Sequence, residues 1–131
     1  MLKIFIIICS FAIPIKSFAE MLVLEERSSS SDGVTKNYIL EVNIKDIKTT
    51  PKLNPAIDVL PISMKRAIKL ATSAYKSKFS TKPWGIASVS LNHFPSYDYR
   101  NHWYFKVDFF GKPSVTAAVL LNEKIIFPRE Q

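Results

Sequence analysis

The sequence predicts an α+β fold: one amphipathic helix packed on an antiparallel sheet, in the order ββαββββ. Three observations carry this. Residues 63–79, SMKRAIKLATSAYKSKF, are the one segment with a sustained helical period. The segments on either side alternate apolar and polar residues with the period of two that a half-buried strand shows. A helix with a single apolar stripe must cover something, and the strands that follow it are its natural partner.

The first nineteen residues read as a targeting signal. Met1, Leu2 and Lys3 form a short positive start, residues 4–13 an apolar core, and Ser17 and Ala19 the small-x-small pattern that a signal peptidase reads. Cleavage is expected between Ala19 and Glu20. The apolar run is shorter than the roughly 20 residues a membrane span requires. The expected product is exported, to the periplasm or beyond, with residues 20–131 as one domain. The lone cysteine, Cys9, leaves with the signal. The exported chain then has no disulfide and no cysteine nucleophile or thiolate ligand.

Residues 20–47 are expected to form a β-hairpin. EMLVLEER makes its first strand and SSSSDG its polar turn. In 35–47, Tyr38, Leu40, Val42 and Ile44 share one face, with Asn37, Glu41, Asn43 and Lys45 on the other. Residues 48–62 hold Pro51, Pro55 and Pro61, each with a fixed φ and no backbone donor, and read as an extended connection. Ser63 is the expected N-cap of the helix. Its apolar stripe reads as Met64, Ala67, Ile68, Ala71, Tyr75 and Phe79.

Residues 84–127 read as an antiparallel meander. The strand 84–94 places Ala87, Val89, Leu91 and His93 together. Residues 95–101, PSYDYRN, form a loop. The strand 102–110 sets Trp103, Phe105, Val107 and Phe109 against Tyr104, Lys106, Asp108 and Phe110. Gly111-Lys112-Pro113 turns the chain into the strand 114–121, and 125–127 closes the sheet before Pro128.

This order resembles the PepSY-type and cystatin-like small domains of exported bacterial proteins. The likeness is carried by AIKLA (67–71), the aromatic strand WYFKVDFF (103–110), Gly111 and the hairpin VTAAVLLNEKII (115–126). It implies a non-enzymatic binding or inhibitory module and transfers no residue roles.

The net charge is +7 with 18 Lys and Arg, and Lys65, Arg66, Lys69, Lys76 and Lys78 lie off the helix stripe. Export and the absence of a nucleic-acid motif argue against a nucleic-acid partner. A stripe already engaged by a sheet is not free to enter a membrane, so the lysine face reads as solvated surface. Only three glycines and no Gly-x-Ser-x-Gly elbow leave no phosphate loop or oxyanion-hole turn. No cofactor is expected.

Three functional readings remain. In the first, the chain is a binding module of the cell envelope. It contacts a protein or glycan through residues 97–104, where Tyr97, Asp98, Tyr99, Arg100, His102 and Tyr104 gather the aromatic and arginine chemistry of interface hot spots. In the second, His93 and His102 meet across the base of a hairpin with Asp98 at its tip. They form the metal set or acid–base machinery of a small periplasmic hydrolase. In the third, the chain is a structural subunit of an envelope complex that pairs through an exposed edge strand, with 38–44 as the candidate.

Overall fold

The alternating segments close into two antiparallel sheets, not the single sheet expected. The computed structural model describes residues 20–131, and the expected signal and its cleavage motif lie outside the described residues. The first sheet is built from β1 (Met21–Ser31), β2 (Val34–Asn43) and β7 (Arg129–Glu130), in the order β1-β2-β7. The second is the expected meander of β3 (Gly85–His93), β4 (Trp103–Phe110), β5 (Val115–Leu120) and β6 (Ile125–Ile126), in that order. Two helices join them: α1 (Ile44–Lys48) and α2 (Met64–Phe79).

The β1–β2 hairpin turns on Asp32 (φ 52°) and Gly33 (φ 76°). This Asp-Gly pair takes the left-handed conformation that a two-residue hairpin turn requires, so the strands run further into the serine segment than the composition suggests. β2 ends earlier than expected. The Asn43 side chain accepts a hydrogen bond from the Lys45 amide at 2.9 Å and caps α1, which turns 44–47 from strand into helix. β7 was not anticipated: Tyr38 and Ile39 pair with Glu130 and Arg129, so the chain end returns to the first sheet.

Helix α2 begins where expected. Ser63 Oγ accepts from the Arg66 amide at 3.0 Å, and the helix stops at Ser80, in the left-handed conformation (φ 55°). Its buried line is Ala67, Ala71 and Tyr75, with Leu70 and Phe79 packed beside it. The expected stripe is thereby corrected: Met64 is exposed and Ile68 only half-buried, while Leu70 reaches the core. The reason is steric. The two alanines set the line of closest approach to the sheet, and Leu70 and the larger rings fill the space beside it. Tyr75 stacks toward Phe79 and Phe109 at centroid distances of 4.7 and 5.0 Å, and its hydroxyl donates to the Pro113 carbonyl at 2.7 Å. Gly111 sits against that hydroxyl: a Cβ there would lie 2.6 Å from it.

The β3–β6 sheet is covered on both faces. Phe105, Val107, Phe109, Ala117 and Val119 meet α2. Tyr104, Ala118 and Leu120 meet Leu40 and Val42 of β2 and Ile47 of α1. Further along this second face the cover is ionic. Lys106 Nζ lies 3.7 Å from the Glu25 carboxylate, and Arg27 lies 3.6 Å from Asp108. Lys106 and Asp108, expected on a polar face, therefore lie beneath the hairpin. Strand 38–44, expected as a bare edge, is instead the centre of its sheet, flanked by β1 and in part by β7.

Candidate functional site

The loop between β3 and β4 is built on a buried anchor. Phe94 is fully buried and packs on Tyr104 with ring centroids 4.8 Å apart. Its amide donates to the His102 carbonyl at 3.1 Å, which closes the loop base. Within the loop Tyr99 N donates to Ser96 O and His102 N to Tyr99 O, so residues 97–99 form one short 3-10 turn.

The proline-rich connection, which contains turns but no strand or longer helix, fastens this base from the side. The Leu53 amide donates to Asn101 O at 2.9 Å, and Trp103 Nε1 donates to Leu53 O at 3.1 Å. Behind them the buried Thr50 hydroxyl donates to Ile47 O at 2.6 Å and lies 2.9 Å from His102 Nδ1. A hydroxyl has one proton to give. With that proton on Ile47 O, the His102 ring donates through Nδ1. Burial, then the neighbouring Lys52 charge, lowers the His102 pKa against a smaller upward pull from its bond to Thr50. The ring is thus held neutral as a structural donor.

The outer side differs. Tyr97 is 79% exposed, and the Arg100 guanidinium lies over its ring, 4.4 Å from the centroid. Asp98 is exposed between them, and Tyr99 is half-buried against the second core cluster. The structure thus divides the expected contact set. Tyr97, Asp98 and Arg100 are available at the surface. Tyr104 (6% exposed) and His102 (4%) are core, because β4 alternation turns both inward under β2 and α1.

The expected histidine pair does not form. His93 is exposed, opposite Trp103 in register and edge-on to its ring at 5.6 Å, on the α2 side of the sheet. His102 turns to the other face, toward Thr50. Alternation along a strand separates neighbours of odd and even register, so strand parity puts the two rings on opposite sides despite their closeness in sequence. Asp98 joins neither. Among the described residues no three His, Cys, Asp or Glu side chains gather as a metal set.

Thr50, Leu53 and Asn101 hold the loop yet carried no sequence signal. Their roles come from backbone groups and one hydroxyl, which any residue pattern leaves invisible. At the opposite end of β4 a cleft of about 970 Å³ opens between the hairpin and the β4–β5 turn. Arg27, Tyr38, Lys78, Lys112 and Thr116 are among its walls. Arg27 there is engaged by Glu25 at 2.6 Å. Comparison with family models, with characterised proteins and with solved structures finds no match for this chain.

Proposed function

We propose that this chain is an exported, non-enzymatic binding or inhibitory module of the cell envelope that engages a protein or glycan through Tyr97, Asp98 and Arg100. The observation that carries the reading is the stacked Tyr97–Arg100 pair, exposed on a loop whose base is pinned on three sides. Binding loses least when its contact groups are already ordered, and an aromatic ring with a guanidinium combines contact area with directed donors. Cleavage between Ala19 and Glu20 belongs to this reading and is checked by sequencing the N-terminus of the exported protein. The α2-on-meander arrangement of β3–β6 supports a PepSY-type or cystatin-like relationship within it.

The test is a double substitution, Tyr97→Ala with Arg100→Ala. Both side chains point away from the core, so thermal stability is expected to stay native. Quantitative capture from envelope extracts is expected to fall about tenfold or more, which corresponds to about 1.4 kcal/mol. A variant that stays folded and captures the same partners with undiminished yield overturns the proposal.

The second reading, a structural subunit assembling through an edge strand, is favoured by one observation: β3 is an edge strand with no charged residue.

A further inference from the structure

Two open sheets have four edges, and three of them are protected. β6 and β7 are two residues long, too short to template another strand. β1 is long, but it carries Glu25, Glu26 and Arg27 and is broken by a register shift between Val23 and Glu25. β3 is the exception. It runs GIASVSLNH, with no Lys, Arg, Asp, Glu or Pro, and its continuous pairing with β4 extends from Ser88 to His93. Both covers are centred away from it: α2 lies mainly on β4, β5 and β6, and β2 on β5 and β6.

The backbone of this edge points outward in a defined pattern. Phe94 N donates to His102 O, so Phe94, and by alternation Asn92 and Ser90, turn their backbone groups to β4. His93, Leu91 and Val89 turn theirs away from the sheet. Leu91 and Val89 also have side chains on the α2 face, packed against the core there but only partly buried. The outward backbone groups and the incompletely covered apolar side chains therefore belong to the same residues.

We propose that β3 pairs antiparallel with β3 of a second copy of this chain about a two-fold axis at Ser90, joining two four-stranded sheets into one. The residue pattern is self-complementary about that position. Val89 faces Leu91 of the second copy and Leu91 faces its Val89, so the apolar pair on the α2 face is doubled. Ser88 faces Asn92 on the other face, and Ser90 faces Ser90. Each outward-pointing residue meets another outward-pointing residue, as a hydrogen-bonded antiparallel pair requires. No like charges oppose one another. The same absence of charge leaves an acidic or basic peptide nothing on β3 to recognise, which favours a second copy over a charged partner.

The geometry at the axis gives the test. Ser90 opposite Ser90 is a non-hydrogen-bonded pair, whose Cα atoms lie about 4.5 Å apart with their side chains close together. That Cα separation falls within the range a disulfide spans. In a Cys9→Ser background, Ser90→Cys is expected to give a covalent dimer on mild oxidation, while Ser88→Cys forms no covalent dimer. Ser90→Lys places two ammonium groups together at the axis on an exposed position. It is expected to halve the mass seen by sedimentation equilibrium, leave the circular dichroism of the folded chain unchanged, and make the thermal midpoint independent of protein concentration. Added salt is expected to strengthen the wild-type association, because it screens the repulsion between two basic chains. A wild-type chain that sediments at its monomer mass up to its solubility limit, or Ser88→Cys cross-linking as readily as Ser90→Cys, overturns the proposal.

Discussion

The two faces of the β3–β6 sheet are covered by different means. Under α2 the contact is apolar from Phe105 to Phe109 and from Ala117 to Val119. Under the β1–β2 hairpin it begins apolar, at Tyr104 and Leu120, and becomes ionic at Lys106 and Asp108. Asp108 is the pivot of that ionic end. It accepts hydrogen bonds from Ser88 and Thr116, with Lys106 and Arg27 nearby. Burial raises the pKa of its carboxyl, but those bonds and charges outweigh it and bring the pKa below the ordinary carboxylate value. The contrast teaches that a strand with one polar face need not have that face in water. A second sheet can cover it if it brings matching charges.

The comparison breaks most visibly at Ala71. This residue is fully buried between α2 and the sheet, with no partner for a charge. Ala71→Asp is expected to cost several kcal/mol, enough to leave the chain unfolded in a urea titration at 25 °C. Ile68→Asp, three positions back on the half-buried flank, is expected to cost clearly less and leave the chain folded. Equal losses for the two would show that the alanine ridge is not the line of contact.

On the ionic end the expected effects are smaller and depend on pH. Asp108→Asn keeps the shape but weakens the bonds from Ser88 and Thr116 and leaves Arg27 and Lys106 without that charge. A loss of about 1.5–3 kcal/mol at neutral pH is expected, as for other hydrogen bonds to a charged group. The sign with pH follows from the lowered folded value. The wild-type contribution is present in full above the unfolded carboxylate value of about 3.9 and is lost as pH falls from there through the folded value. Denaturation curves should therefore converge for wild type and Asp108→Asn in strong acid and separate toward neutrality. Curves that stay parallel at all pH would assign the loss to packing instead.

Arg27→Ala is the smallest change. Arg27 is about half-exposed and shared between Glu25 and Asp108. Solvent screening limits such a pair to under about 1 kcal/mol, and added salt should shrink the difference further. A loss as large as that of Asp108→Asn would make the hairpin cover depend on Arg27 rather than on the apolar end.

Much of this was legible in the chain. The helix start at Ser63, the period of 64–79 and the alternation of 103–110 are local signals, and each became the element it announced. Of the expected helix stripe, Ala67, Ala71, Tyr75 and Phe79 hold, while Met64 and Ile68 fall off it and Leu70 joins it. The amphipathic period locates a face but not its centre, which the alanines decide only once a sheet is present. The candidate site was half legible. Composition marks the stretch 97–104 as rich in contact chemistry, yet it cannot say that Tyr97 and Arg100 face out while His102 and Tyr104 face in. The two histidines show the same limit. They lie nine residues apart, and strand parity, not distance along the chain, put them on opposite faces.

What the sequence determined alone was the set of elements with their own period or cap: an α+β content, one long helix, an aromatic strand and a proline-broken connection. Those properties depend on each residue's neighbours within a few positions. Only the tertiary structure decided that there are two sheets and that the ionic face is covered. It also decided that Thr50 and Leu53 hold a loop about fifty residues away, and that β3 is, among the described residues, the one long edge without charge. Those depend on which surfaces meet after the chain folds back on itself, and no local pattern of residues encodes that meeting.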